Sequence, residues 1–242
     1  MEEYRIIEKS IIKKYNLIEE NDKIAVCISG GKDGFLLAKC LDELKRHGIF
    51  KFDLVFITLN PGYNEENIKS IKKNANLLNI KLKIIDTEIF KIAKKHKKSP
   101  CYLCSKIRRG TLYSEAEKLG CNKIALGHHF NDVIETIMMN ITFNGTFSSM
   151  LPIIKSDNFE NIKLIRPLYN IEENDIIKWV NYNKLNFKNY ECPIDNKKNI
   201  SSRNKTKKTI EYLKNNYYKD FDKNLLKATE NINQETLLNK IN

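Results

Sequence analysis

Three groups of residues carry types and spacings that can do chemistry. The first is the turn Ser29-Gly30-Gly31-Lys32-Asp33-Gly34. Its glycines let the backbone curl so that successive N–H groups point inward, and a following helix adds partial positive charge, so the turn can hold phosphate. The spacer and Lys-Ser/Thr pair of a Walker A loop are absent, as are the three spaced glycines of the dinucleotide fingerprint. Two glycines alone fit an ordinary turn at a strand end equally well. The second group is Gly127-His128-His129-Phe130-Asn131-Asp132-Val133-Ile134-Glu135-Thr136. His128, Asp132 and Glu135 stand at i, i+4 and i+7. A helix that begins early puts them on one face, where carboxylates can hold Mg2+ and imidazole can bind phosphate. The plainer alternative has Asp132 capping the helix, the histidines packed and Glu135 solvated.

The third group is Pro100-Cys101-Tyr102-Leu103-Cys104. Two thiolates at this spacing converge at a loop entering a helix, which suits zinc, an iron–sulfur cluster or dithiol redox chemistry. Cys192, in Glu191-Cys192-Pro193, supplies a third ligand if the C-terminal segment folds back. With His96 as a fourth ligand, zinc and cluster are equal on the residues alone. Cys27 and Cys40 lie in a strand and a helix and read as small apolar residues, and Cys121 reads as structural.

Elements must position these groups. Tyr4, Ile7, Ile11, Tyr15 and Ile18 give an amphipathic opening helix over residues 3–18. Strands are expected at Lys23–Ile28, Phe52–Leu59, Lys81–Asp86 and Lys123–Gly127, with one more over residues 163–168. Helices are expected at Phe35–His47, Glu65–Leu78, Ser105–Leu119 and Asn131–Ile141, then at Glu172–Tyr182, Ser201–Asn215 and Phe221–Asn233. This alternation argues for an α/β domain: a parallel sheet with helices on both faces, followed by a helical C-terminal extension. The expected division is an N-terminal helix at 1–20, a nucleotide-binding domain at 21–168 and the extension at 169–242, which carries the third cysteine.

The 242 residues suffice for a sizeable core, and 41% hydrophobic with 30% charged residues is a globular composition. The net charge of +12 invites nucleic acid, but an AT-rich genome would also enrich lysine. Position decides: residues 91–118 carry nine basic and two acidic side chains, residues 192–219 eight and two, and the remainder 25 and 26. The surplus lies beside the cysteines, where Lys106, Arg108 and Arg109 follow Cys104, and Arg203 and Lys207 follow Cys192. Such charge engages RNA phosphates without reading sequence. Tyr102 and Phe187 or Tyr190 are candidates to stack on unpaired bases. No run of 18 apolar residues exists, so no membrane span is expected, and Met1–Arg5, with Glu2 and Glu3, does not read as the basic start of a signal peptide. Six irregular cysteines do not make a secreted disulfide framework, so a reducing, cytoplasmic setting is expected.

The motif SGGKD resembles the PP-loop of the ATP pyrophosphatase superfamily, usually written SGGxDS, with Gly34 in place of the final serine. GHHxxDxxET is shared with tRNA lysidine synthetases and tRNA 2-thiocytidine synthetases. The run Cys101–Thr136 is similar to the tRNA 2-thiocytidine synthetase (TtcA) family, as are Asn144-Gly145, Met150-Leu151-Pro152, Arg166-Pro167-Leu168 and the later Cys-Pro, over roughly residues 21–235. The TtuA-type relatives carry flanking zinc fingers, for which this chain has no cysteines before Cys27 or after Cys192.

The resemblance implies ATP at Ser29, Gly30, Gly31, Lys32, Asp33, Gly127, His128, His129 and Asp132, with Asp33 and Asp132 on the Mg2+ or phosphate side. It implies a [4Fe–4S] cluster on Cys101, Cys104 and Cys192 that leaves one iron without a protein ligand. The implied activity is ATP-dependent tRNA thiolation: a pyrimidine carbonyl, by family the C2 carbonyl of an anticodon-loop cytidine, is adenylated and its oxygen replaced by sulfur. Asp33, Asp132, Cys101 and Cys104 are the expected catalytic residues. Implied partners are tRNA and a sulfur donor system, either a cysteine desulfurase or free sulfide. A homodimer is compatible with the resemblance, though no stretch of sequence identifies an interface. A lysidine-synthetase-like ligase shares both nucleotide motifs but needs no cluster. A non-catalytic RNA-binding module with a degenerate PP-loop is the alternative that Gly34 keeps open.

Overall fold

The computed structural model describes residues 11–48, 51–96, 99–187 and 202–236. Cys192, Tyr190, Lys197 and Lys198 lie outside them, as does most of the expected opening helix, of which residues 11–15 are helical. In chain order the elements are β1 (Lys23–Cys27), α1 (Lys32–Arg46), β2 (Asp53–Asn60), α2 (Glu65–Leu77), β3 (Leu82–Asp86), α3 (Ile89–Lys94), α4 (Pro100–Lys118), β4 (Lys123–Ala125) and α5 (Phe130–Met139). A π-helical turn (Asn140–Asn144), β5 (Ile153–Lys155), β6 (Lys163–Ile165), α6 (Glu173–Tyr182), α7 (Ser202–Asn216) and α8 (Phe221–Glu230) follow.

The six strands form one sheet in the order β3-β2-β1-β4-β6-β5. Each pairing is parallel except β5 with β6, where Ile153 lies opposite Ile165 in an antiparallel edge. The alternation of strand and helix gives the parallel α/β class, and β1 (KIAVC) has the near-continuous burial of a strand covered on both faces. Ala25, Ile57 and Ile124 pack against Tyr113 and Ala116 of α4. Ile24 and Val26, also fully buried, alternate to the other face. The chain leaves β1 for β2 through α1 and returns from β3 to β4 through α4. Right-handed crossovers running in opposite directions put these two helices on opposite faces.

The sheet's amino edge is locked by charge. Lys123, first residue of β4 and 1% exposed in its side chain, holds Glu19 at 2.8 Å and Asp22 at 2.7 Å. The Asn122 amide donates to Asp22 at 2.7 Å and its carbonyl accepts from the Lys23 N–H at 2.8 Å.

The chain divides into two compact units, residues 1–129 with 151–196, and residues 130–150 with 197–242. The first holds the sheet. In the described part of the second, α5 packs with α7 and α8, and Lys214 of α7 is ion-paired to the buried Asp222 of α8. The π-helical turn ends at Gly145, in the left-handed region at φ 60°, and the Asn140 side chain donates to the Ser148 carbonyl at 3.0 Å and hydroxyl at 2.9 Å. Among the described residues, no helix is long and apolar enough to cross a membrane.

Candidate active site

The strand order reverses at β1, so the carboxyl ends of β1 and β4 border the crevice where open parallel sheets bind ligands. The glycine turn leaves β1 there. Thr58 of β2 is fully buried and donates to the Ile28 carbonyl at 2.7 Å, while the Ile28 N–H reaches the Ile57 carbonyl at 2.8 Å. Ser29 is exposed. Gly30 has φ 95°, a left-handed conformation that strains any residue with a Cβ. Gly31 precedes α1 in an extended conformation, without a side-chain cap on the helix. The first-turn N–H groups of α1 therefore have neither an intrahelical acceptor nor a cap.

Gly34 lies in that first turn, against the strand it follows. A Cβ there would lie 3.1 Å from the Ile28 Cα and 3.3 Å from the Cys27 carbonyl oxygen. A serine would fit only if the helix backed away by a few tenths of an ångström. Gly127, just beyond β4, closes the turn from the other side: a Cβ on it would meet the Asp33 carbonyl carbon at 3.0 Å and the Gly34 nitrogen at 3.1 Å.

Helix α1 begins three residues earlier than the hydrophobic pattern indicates, so Lys32 and Asp33 belong to its first turn. The Lys32 ammonium lies 3.0 Å from Glu173 at the start of α6 and 3.2 Å from Asp33. Burial pulls its pKa down, but the two carboxylates outweigh burial and hold it above the usual lysine value. The buried His129 places Nε2 4.0 Å from the Asp33 carboxylate. Arg166, immediately after β6, donates through Nε to His128 Nδ1 at 3.3 Å and through Nη1 to the Leu151 carbonyl. With Nδ1 accepting, a neutral His128 carries its proton on Nε2. Burial lowers the Arg166 pKa to about 10, which still leaves it charged at neutral pH.

In the second unit, Asp132 and Glu135 stand in the first two turns of α5. Arg203 of α7 binds both, Glu135 at 2.5 Å through Nε and Asp132 through Nη2. Two expectations and one part of the plainer alternative change here. Helix α5 begins at Phe130, so His128 precedes it and does not share a helical face with Asp132 and Glu135. Glu135 is buried rather than solvated. Arg203, expected to meet RNA phosphate, has its guanidinium engaged by two carboxylates.

The cysteine pair lies inside α4, which starts at Pro100, rather than on a loop before it. Proline at the first helical position fits because its missing N–H would be unsatisfied there anyway. Cys101 is exposed and Cys104 buried, one helical turn apart at the helix's positive end. Arg108, also expected to face RNA, is half-buried, and its Nη2 lies 3.8 Å from the Cys104 sulfur. Lys106 and Arg109 are exposed on the same helix, Lys207 is half-buried on α7, and Tyr102 is exposed. Phe187 packs on Phe35 of α1 with ring centroids 5.6 Å apart, so it is a core contact rather than a free stacking surface. Among the described residues, no three His, Cys, Asp or Glu side chains gather to hold a metal ion, and Cys192 lies outside them. Cys101 and Cys104 fit a thiolate-bound cluster in their donor chemistry: two soft sulfur donors stand one turn apart, and a helix N-terminus and the Arg108 guanidinium lie beside them to offset the charge of a bound anionic group.

Thr58 and Glu173 belong to the site without having been expected there. Thr58 looks like any β-strand threonine in sequence, and Glu173 meets Lys32 across 141 positions. Arg166 carried a signal, since it directly follows a strand that ends at this edge of the sheet.

Residues 4–211 match the model of the ATP_bind_3 family, a PP-loop domain. The chain is 33% identical over 241 residues to a tRNA-cytidine(32) 2-sulfurtransferase of Geobacter sulfurreducens, covering 97% of this chain and 93% of that one. The Geobacter metallireducens counterpart is 34% identical over 243 residues, with 98% and 93% covered. That of Aeromonas hydrophila is 40% identical over 174 residues, 69% of this chain and 56% of the relative, so the match spans just over half of that longer protein. Among solved structures, the U34-tRNA thiolase NcsA from Methanococcus maripaludis, with its [4Fe–4S] cluster, superimposes with a TM-score of 0.71 at 22% identity, covering 94% of this chain and 79% of that one.

Proposed function

The chain belongs to the tRNA-cytidine(32) 2-sulfurtransferases of the PP-loop family, and from that premise we propose that it thiolates tRNA at the expense of ATP, replacing the C2 oxygen of an anticodon-loop cytidine with sulfur. The observation that carries this reading is the uncapped start of α1, with Gly34 flush on β1 and Gly127 flush on the Asp33–Gly34 peptide. That surface admits phosphate groups to backbone N–H donors that nothing else in the helix uses.

A carbonyl oxygen is a poor leaving group, and adenylation makes it a good one. The C2 oxygen attacks the α-phosphate of ATP, the bond to the β-phosphate breaks and pyrophosphate leaves. The N–H groups at the start of α1 and the Lys32 ammonium stabilise the charge that gathers on the phosphates. Glu173 and Asp33 hold that ammonium charged and in place until phosphate competes for it. His128, fixed by Arg166, directs an Nε2–H donor, and Asp33 supplies a carboxylate for Mg2+. Hydrosulfide then adds to C2, AMP leaves with the former carbonyl oxygen, and loss of a proton gives the thiocarbonyl. A [4Fe–4S] cluster held by Cys101, Cys104 and the expected third ligand Cys192 would supply the site from which sulfide is delivered. Lys106 and Arg109 on α4 offer charge to the anticodon-loop phosphates.

The test is anaerobic incubation of the protein with unmodified tRNA, ATP, Mg2+ and sulfide, followed by mass spectrometry of the nucleosides and assay of pyrophosphate. The expected result is 2-thiocytidine formed one for one with tRNA-dependent pyrophosphate. Pyrophosphate release without any thionucleoside would sink the reading.

A further inference from the structure

Three tyrosines of the second unit stand together in solvent. Tyr212 lies on the last turn of α7, and Tyr217 and Tyr218 follow its end; they are 56%, 62% and 63% exposed. The rings of Tyr212 and Tyr217 meet edge to face, with centroids 5.8 Å apart, and Tyr217 and Tyr218 are tilted at 6.2 Å. The backbone beneath them is fixed. Both the Tyr217 and Tyr218 N–H groups donate to the Leu213 carbonyl, at 3.0 and 2.9 Å, and the Asn216 amide donates to the Tyr212 carbonyl at 2.8 Å. Helix α7 buries Thr206 and Ile210 instead, so packing among the described residues of this unit does not account for the three rings.

We propose that Tyr212, Tyr217 and Tyr218 form a stacking platform for unpaired nucleotides of the RNA substrate, apart from the residues that carry the chemistry; this rests on the tRNA reading above. Exposed Lys208 stands one turn before Tyr212, and exposed Lys219 adjoins Tyr218. Over residues 202–230 there are eight basic and four acidic side chains; with Arg203 engaged by Asp132 and Glu135 and Lys214 paired to Asp222, six basic and three acidic remain, Glu211 and Asp220 among the latter. Ring faces between lysines complement a single strand, whose bases present π surfaces and whose linkages are anionic. A second copy of the chain is a poor occupant, because each copy carries +12 and would bring like charge to the same lysines.

The experiment measures binding of a fluorescein-labelled tRNA transcript to the full-length protein by anisotropy at several salt concentrations. Three proteins are compared: wild type, the Tyr217→Ala/Tyr218→Ala variant and the Tyr217→Phe/Tyr218→Phe variant. Loss of two rings should weaken binding about tenfold or more, while phenylalanine should retain wild-type affinity within about twofold, since the ring and not the hydroxyl stacks. The slope of log Kd against log salt should be the same in all three, because no phosphate-neutralising charge is removed. Wild-type affinity in the alanine variant overturns the platform. So does a loss that follows a change of oligomeric state in light scattering. A wild type that binds no tRNA overturns the thiolation reading itself, a separate outcome. Should the alanine variant fail to fold by circular dichroism, ultraviolet crosslinking of wild type to tRNA decides: adducts mapped to these tyrosines support the platform, and their absence overturns it.

Discussion

Gly127 lies so close to the Asp33–Gly34 peptide that a single added methyl at 127 would meet the Asp33 carbonyl carbon at 3.0 Å. The atoms in the way are backbone, held by the first turn of α1, so they cannot rotate aside. Gly127→Ala should therefore push the start of α1 off the end of β4. We expect a stability loss of about 1–3 kcal/mol, as overpacking usually gives, read as a lowered Tm. ATP affinity should fall more than the stability change requires, because the displaced N–H groups are the ones proposed to meet phosphate. Equal ATP affinity in variant and wild type would dissociate Gly127 from the nucleotide site.

Gly34→Ser restores the residue that SGGxDS motifs carry, at a position where its Cβ would lie 3.1 Å from the Ile28 Cα. The expected outcome is a small loss of stability, smaller than for Gly127→Ala because the contacts are slightly longer. Pyrophosphate release then reports the balance between an added hydroxyl at the phosphates and a displaced helix start. A rate unchanged within about twofold, well below the tenfold that about 1.4 kcal/mol represents, would mean that backbone groups already do the work of the missing hydroxyl.

The buried lysine at the opposite edge gives the fold one acid-sensitive contact. Lys123 holds the Glu19 carboxyl below the usual glutamate value, first through its hydrogen bond and then through its charge, with Lys163 adding to both. The folded pKa thus lies below the unfolded one. This stabilisation is fully present above the unfolded value of about 4.5 and is lost as pH falls through the folded value. Glu19→Gln should lower Tm at neutral pH and converge on wild type in acid, a pattern that thermal scans across pH would show. Lys123→Met should be far worse, by about 3–5 kcal/mol, because it leaves the buried Asp22 carboxylate without its cation.

The strands β1 to β4 and helices α1, α2 and α6 were legible because their apolar residues recur with a clear period and end at Gly, Asn or Pro. Helix α3, strand β5 and the π-helical turn at Asn140–Asn144 were not. Helix α3 hides in the lysine-rich stretch after Glu88, where charge masks the contact of Ile89, Phe90 and Ala93 with the core. Strand β5 is three residues long and half exposed, too short for an alternation to be read. The site divides in the same way. The glycine turn and the His128-His129 pair follow strand ends and could be read locally. The clamp of Arg203 on Asp132 and Glu135 spans 71 and 68 positions, and no local pattern distinguishes such an arginine from one that awaits RNA.

The cysteines should separate by reactivity. Burial pushes the Cys27 thiol up to about 12, with the neighbouring Cys121 charge adding to it, and burial raises Cys121 as well. A thiol held this far up is almost wholly protonated at pH 8, and the thiolate is the reactive form. Native protein treated with iodoacetamide should leave Cys27 and Cys121 unmodified, and denatured protein should label both, as peptide mass spectrometry would show. Rapid native labelling of Cys27, half-buried at the carboxyl end of the central strand β1, would mean that its thiol is not suppressed as burial predicts.

Arg203 decides between two roles that give opposite signatures. As the clamp on Asp132 and the buried Glu135, its removal leaves a carboxylate out of water without a partner, and Arg203→Ala should cost about 1–3 kcal/mol in stability. Because its charge is already spent within the protein, the salt dependence of tRNA binding should not change. As a phosphate contact, the same substitution would leave Tm nearly unaltered and reduce the salt slope by about one. Thermal denaturation and a salt titration of tRNA affinity on one pair of proteins separate the two. The clamp predicts a fall in Tm with an unchanged slope, and Arg203→Lys, which cannot bind both carboxylates bidentately, should recover only part of the loss.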